Sequence, residues 1–259
     1  MTPFIDTHCH IDTYEEMSGT SFAELWKTLD PKPAAFIHSA CSPKEFEYAK
    51  TLPALYPEAC CGYGVHPHYI DEYTPELDAP LNALLQLPRT VACGEIGLDY
   101  HYGKDNHEKQ KKVFEHLLEI GIRSGKAITL HLREAENDSL AILKNAHLKN
   151  TKIHVHCFTS TPEFAEQLLA LSDTLYIGFT GIISFKNADN VKEAARRVPL
   201  ERLVLETDAP YLAPIPFRGK PAHPGMIPII AEHLARIKEV ETELLMEICL
   251  KNSKTLYGI

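Results

Sequence analysis

Short apolar or β-branched runs recur along the chain, separated for the most part by amphipathic stretches. The runs read FIDTH, AAFIHSA, CCGYGVH, VACGEIG, AITLHLR, KIHVHCF, LYIGFTG and LVLETD, and each has the length and residue types of a buried strand. Between two of them, HEKQKKVFEHLLEIGIRSG sets Val113, Phe114, Leu117, Leu118 and Gly121 at spacings of three and four. That spacing predicts a helix with one apolar face. Strands alternating with helices pair in parallel, and eight such units predict a (β/α)8 (TIM) barrel. An open doubly wound sheet usually carries a glycine-rich phosphate turn after its first strand; neither GxGxxG nor GxxxxGK[ST] occurs here.

No low-complexity tract or long linker interrupts the alternation, so residues 1–259 are read as one barrel domain. The longest irregular stretch, APYLAPIPFRGKPAHPG, follows the eighth run. In a barrel that position lies over the C-terminal face, where active sites of this fold sit, which makes it a candidate substrate loop. The helical tail VETELLMEICLKNSKTLYGI then closes the barrel.

Composition narrows the picture. A hydrophobic fraction of 44% and a charged fraction of 24% are those of a globular protein, and no apolar run approaches the roughly 18 residues of a membrane span. MTP leads directly into a strand-like run without a basic and then apolar leader, so the expectation is a soluble, cytoplasmic protein with no membrane partner. No obligatory protein partner is evident. Seven cysteines cannot all pair within the chain, and Cys9, Cys60, Cys61, Cys93 and Cys157 lie in apolar runs without a CxxC spacing. They read as reduced core thiols. The net charge of -9 argues against a broad basic surface for long nucleic-acid tracts. It leaves room for a small anion or a polymer end held by a locally positive site.

The candidate chemistry lies at the strand ends. Residues two apart on a strand share a face, so Asp6, His8 and His10 point one way and Thr7 and Cys9 the other. Cys9 is therefore no ligand beside the two histidines. Glu95, His131, His156 and Asp208 lie near the ends of the fourth, fifth, sixth and eighth runs, and in a barrel these ends converge on one face. Four imidazoles and two carboxylates meeting in one cup need compensation, and divalent cations supply it. Six ligands exceed one closed tetrahedral site. They suit two ions about 3.5 to 4 Å apart with a bridging carboxylate, the arrangement that activates water and clamps a transferring phosphoryl group.

The set FIDTHCH, GVHPH, GEIGLDY, HLREAEND, HCF, GIISFKNA and LETDAPYLAPIPFRGK resembles the TatD family of metal-dependent hydrolases, within the amidohydrolase-like superfamily of (β/α)8 barrels. The resemblance runs from Phe4 to the terminal NSKTLYG. It implies an ester-bond hydrolase, a deoxyribonuclease removing nucleotides from DNA ends or short single strands with Mg2+ or a similar ion; Mn2+ and Zn2+ also suit the mixed donors. It further implies that His8, His10, Glu95 and Asp208 hold one ion and that Glu95, His131 and His156 hold the second. Glu95 is then the bridge and Asp208 the acceptor of the water proton. His66 and His68 are expected near the scissile phosphate or the attacking water.

Two departures stand out. The chain reads RGKPAHP, with His223 near the place where many members carry the asparagine of an Asn-x-Pro element, and it has Glu134 where an aspartate is frequent. Arg133 remains as a bidentate phosphate contact, with a surface ion pair to Glu134 or Glu136 as its plainer role. Lys104, Arg218 and Lys220 are further loop cations, and Tyr100, Tyr102, Phe158, Tyr211 and Phe217 are loop aromatics available for base stacking. An alternative keeps the metal site and changes the bond: a deacylase or amidase acting on a small or tRNA-linked substrate.

Overall fold

A computed structural model describes residues 2–103 and 106–259. The eight expected runs form one sheet in the order β1-β2-β3-β4-β5-β6-β7-β8, and every hydrogen-bonded neighbour pair is parallel. The strands are β1 (Ile5–Cys9), β2 (Ala35–Ala40), β3 (Ala59–Tyr63), β4 (Thr90–Asp99), β5 (Ala127–Arg133), β6 (Ile153–Val155), β7 (Leu175–Phe179) and β8 (Leu203–Leu205). Past the end of β8, Cys9 bridges Ala209, and the Asp208 amide donates to the His8 carbonyl at 3.0 Å. These contacts bring the sheet round into a nearly closed (β/α)8 barrel.

Alternation along the strands sorts the core into layers. Cys61, Cys93, Ile128, Ile153, Leu175 and Leu203 pack outward against the helices, among them Phe114, Leu117 and Leu118 of the helix His107–Ser124. The expected apolar face of that helix is the buried one. Ile37, Cys60, Ala92, Tyr176 and Val204 face the barrel interior together with Leu256 and Tyr257 of the C-terminal helix Thr242–Tyr257. Seven free cysteines are present, six of them buried. Cys9 packs with Ile11, Phe22 and Phe36, away from the two histidines that flank it. No described helix is long and apolar enough to cross a membrane.

The sixth and eighth strands are shorter than their apolar runs. β6 stops at Val155 and β8 at Leu205, and the chain then turns through Cys157 (φ 45°) and Asp208 (φ 56°). His156 and Asp208 therefore project from the first residues beyond the strands, inside the rim of the C-terminal face. Asp6 does not share the face of His8 as alternation predicts: it pairs with Phe36 and Cys9 with His38, so a one-residue slip in β1 separates it from His8. It serves the closure, its carboxylate accepting from the Thr207 amide at 2.9 Å and the Thr207 hydroxyl at 2.6 Å.

Candidate metal centre

Glu95 reaches the barrel interior through a break in strand alternation. Cys93 pairs with Ile128 and Ile96 with Leu130, so three steps along β4 match two along β5. A one-residue slip exchanges the faces of a strand: Cys93 points outward, and so do Ile96 and Leu98, which turns Glu95 and Asp99 inward. Two glycines permit it. Gly94 (φ 140°) and Gly97 (φ 147°) pass so close to β5 that a Cβ would fall 2.4 Å from the Thr129 carbonyl oxygen and 2.0 Å from that of His131.

The two Glu95 oxygens face different partners. Oε2 lies 3.2 Å from His8 Nε2 and 3.8 Å from His10 Nε2. Asp208 Oδ1 completes that side at 3.4 Å from His10 Nε2 and 3.8 Å from His8 Nε2. Oε1 lies 2.7 Å from both His131 Nδ1 and His156 Nε2. The outer ring nitrogens are engaged elsewhere: His10 Nδ1 faces the Ser39 carbonyl at 3.1 Å, His8 Nδ1 the Ser39 hydroxyl at 3.2 Å, and His131 Nε2 faces Asp99 Oδ2 at 3.0 Å.

This donor set fits divalent ions. His8 and His10 set their Nε2 atoms 3.1 Å apart, and His131 Nδ1 and His156 Nε2 are also 3.1 Å apart. A ring nitrogen whose partner nitrogen donates its proton outward presents a lone pair, and two such nitrogens facing each other are stabilised by a cation between them, a proton in the metal-free protein or a metal ion. His66 differs. Its Nδ1 accepts from the His68 amide at 3.0 Å, so the neutral ring carries its proton on Nε2, which points at Glu95 Oε1 at 3.4 Å. Although His66, Glu95 and His131 lie close enough to hold an ion, the fixed proton makes His66 a donor. Burial keeps that ring neutral by pushing its pKa well below the usual value.

Electrostatics follow from burial set against partners. Burial pulls His8 down to about 3, aided by the neighbouring His156. Burial also acts against protonation of His10 and His131, but Asp208 and Glu95 raise His10 to about 9, and Asp99 and Glu95 raise His131 to about 9. The Glu95 carboxylate would be raised by burial, yet the imidazoles around it hold it well below the ordinary range. Beneath the centre, burial raises Glu206 to about 8 against the opposing pull of His156 and the Cys157 amide.

The centre opens into a cleft of about 930 Å³ lined by all the expected ligands except the fully buried His8, and by His66, His68 and Arg133. His68 Nε2 lies 2.9 Å from Asp99 Oδ2, beside His131 rather than against Glu95. Arg133 pairs with neither Glu134 nor Glu136. Its Nη1 sits 3.9 Å from Asp99 Oδ2 and its guanidinium lies over the Tyr102 ring at 5.3 Å, while Glu134 bonds His101. Arg218 is not brought into the cleft: it is exposed and stacks on Phe185 at 4.4 Å. Lys220 is exposed beside Phe217, and Lys104 lies outside the described residues. Of the aromatics, Tyr102 (72% exposed) and Tyr211 (45%) line the cleft. Tyr100 stacks on His107, Phe158 is buried, and Phe217 packs beside Ala213 and Met226. The proline-rich stretch thus contributes Tyr211 and Leu212 to the cleft, and His223 packs away from it with a buried, unpartnered Nδ1.

A family model described as TatD related DNase matches residues 5–258. The chain belongs to the TatD family of metal-dependent hydrolases. The uncharacterized metal-dependent hydrolase YcfH of Escherichia coli K12 is 37% identical across 98% of this chain and 96% of its own. The human 3'-5' RNA nuclease TATDN2 is 34% identical across 99% of this chain, which spans 35% of that protein. The TatD homologue YJJV from E. coli K12 superposes with a TM-score of 0.87 at 26% identity, over 99% of this chain and 98% of its own.

Three residues of this TatD-family site escape sequence reasoning. Asp99 holds His131 and His68; the GEIGLDY motif contains it, but only the slip in β4 reveals that it faces inward. Cys41 Sγ lies 3.3 Å from Glu95 Oε2, and no spacing signals it. Tyr69, 40% exposed, joins the cleft wall from the turn after His68.

Proposed function

We propose that this chain is a two-metal phosphodiesterase that removes nucleotides from DNA ends or short single strands. The observation that carries the reading is the Glu95 carboxylate, whose two oxygens face two separate imidazole pairs. When bound, two divalent ions supply polarisation of a phosphoryl oxygen and acidification of the attacking water. His8, His10, Glu95 and Asp208 would hold the first, and Glu95, His131 and His156 the second.

The remaining work belongs to side chains. Asp208, about 9% exposed, reaches both the His10 side and the cleft, and its carboxylate takes the proton of the attacking water. The His66 Nε2 proton and the Arg133 guanidinium donate to non-bridging phosphate oxygens. Tyr102 and Tyr211 stand at the two sides of the centre, Tyr102 against His68 at 5.0 Å and Tyr211 against His10 at 6.3 Å between ring centroids. They stack the bases flanking the scissile bond. An open cleft with exposed rings favours a polymer end over a small enclosed substrate.

The test is to incubate chelator-stripped protein with end-labelled single- and double-stranded DNA, RNA and a panel of acyl and amide substrates, adding Mg2+, Mn2+ or Zn2+. Stepwise shortening of DNA from one end, abolished in Asp208→Asn without loss of fold, is the expected result. Hydrolysis of acyl or amide substrates with every nucleic acid intact overturns the reading in favour of a deacylase or amidase.

A further inference from the structure

Beneath the centre, three buried polar atoms lack a well-aligned hydrogen bond: His156 Nδ1, Glu206 Oε2 and His154 Nε2. They converge. Glu206 Oε2 lies 3.1 Å from His154 Nε2 and 4.0 Å from His156 Nδ1, and the other Glu206 oxygen accepts from the Cys157 amide. Glu206 and His154 are both wholly buried. Their space exists because residue 178 is glycine: a Cβ there would fall 2.4 Å from both Glu206 Oε1 and His154 Nε2. On the far side, His154 Nδ1 meets the Tyr257 hydroxyl of the C-terminal helix at 2.7 Å.

We propose that Glu206 is a positioning residue for His156, fixing the ring with its proton on Nδ1 and its free Nε2 toward Glu95 and the second ion. A neutral imidazole has one proton, and a ring that offers Nε2 to a cation must keep it on Nδ1. Left without an acceptor in the interior, that N–H is unfavourable by the full desolvation of the group. The acceptor it faces is Glu206 Oε2, and a shift of about 1 Å brings the pair to hydrogen-bond length. The same site has a parallel arrangement: Asp99 Oδ2 lies 3.0 Å from His131 Nε2, placed to accept its N–H, while Nδ1 faces Glu95. Each second-side imidazole is then backed by its own carboxylate, and such outer partners fix tautomer and ring orientation. His154 flanks Glu206 on the other side, its Nδ1 at the Tyr257 hydroxyl and its Nε2 3.1 Å from Oε2. Through this chain the C-terminal helix reaches the metal centre.

The inference rests on the reading of His156 as a ligand. Its test is calorimetric titration of Zn2+ into chelator-stripped wild type, Glu206→Gln and Glu206→Leu, with thermal melts of the metal-free forms. The expected result is affinity for one ion weakened about 10-fold in E206Q, which keeps one acceptor, and toward about 100-fold in E206L. In 15N-histidine NMR of the Zn2+-loaded wild type, His156 should be protonated at Nδ1. A purely structural role lowers the metal-free melting temperature and leaves the Zn2+ affinity of the folded fraction at the wild-type value; that outcome, or His156 protonated at Nε2, overturns the assignment to Glu206 alone. A wild type that binds no Zn2+ overturns the ligand reading as well.

Discussion

His8 and His10 turn their Nε2 atoms toward each other at 3.1 Å while Ser39 engages both of their Nδ1 atoms. Against the effect of burial, Asp208 and Glu95 keep a proton on His10 in that gap of the metal-free protein; a divalent ion that displaces it would be held by both rings with Glu95 and Asp208 alongside. Folding and metal binding are therefore expected to be coupled here.

Chelation should lower the melting temperature. An ion at 100 times its dissociation constant contributes about 2.7 kcal/mol, and a chain of this size shifts by roughly 2–4 °C per kcal/mol. A fall of several degrees on adding chelator, reversed by excess Zn2+ or Mn2+, is expected in a melting scan. Identical melts with and without metal would contradict the coupling.

Metal affinity should fall as pH falls. In the metal-free protein His10 and His131 titrate at about 9, so below that pH both carry protons that an incoming ion must displace. The ion prefers the deprotonated rings, so affinity rises toward pH 9 and weakens below it, by about tenfold per pH unit for each proton displaced. Calorimetry at pH 7.5 in two buffers of different ionisation enthalpy should reveal proton release on binding. Zero release contradicts the protonated starting state.

Gly97→Ala should damage the centre through the backbone. The new Cβ would lie 2.0 Å from the His131 carbonyl oxygen at φ 147°, whereas Gly125→Ala, at φ 69°, meets nothing within 4 Å. We expect about 1 kcal/mol of destabilisation for Gly125→Ala and well over that for Gly97→Ala, with metal affinity lost only in the latter. Denaturant midpoints and Zn2+ titrations of the two variants decide it; equal effects would mean that β4 and β5 tolerate separation.

The barrel was legible because its eight runs alternate with helices and because ligand-type residues recur at their ends. His8 and His10 follow from their place at the end of the first run, although a slip between Asp6 and Cys9 takes Asp6 off the face of His8. Glu95 does not: counting from the inward Ala92, strict alternation turns it outward, and only the slip at Gly94 reverses it. The same slip hid Asp99. Charge at loop positions was the least legible feature, since Arg133 and Arg218 look equivalent in sequence, and only packing sends one over Tyr102 at the cleft and the other over Phe185 outside it. Glu206 sits in LETD beside Asp208, and its role depends on the bare wall at Gly178.

Tyr102→Ala and Tyr211→Ala should each weaken binding of a short single-stranded DNA by about 1–3 kcal/mol if the rings stack on bases. Fluorescence anisotropy in the Asp208→Asn background separates binding from cleavage. Phe158→Ala, at a buried position, should lower stability without a specific change in DNA affinity. Unaltered binding in both tyrosine variants removes the rings from the substrate path.

The central claim is one carboxylate shared between two ion sites, and ion stoichiometry tests it most directly. Titrating Mn2+ or Zn2+ into chelator-stripped protein should give two ions per wild-type chain, with both sites weakened together in Glu95→Ala and only one weakened in His10→Ala. A single ion per wild-type chain, or a Glu95→Ala variant that keeps one site at full affinity, would contradict it.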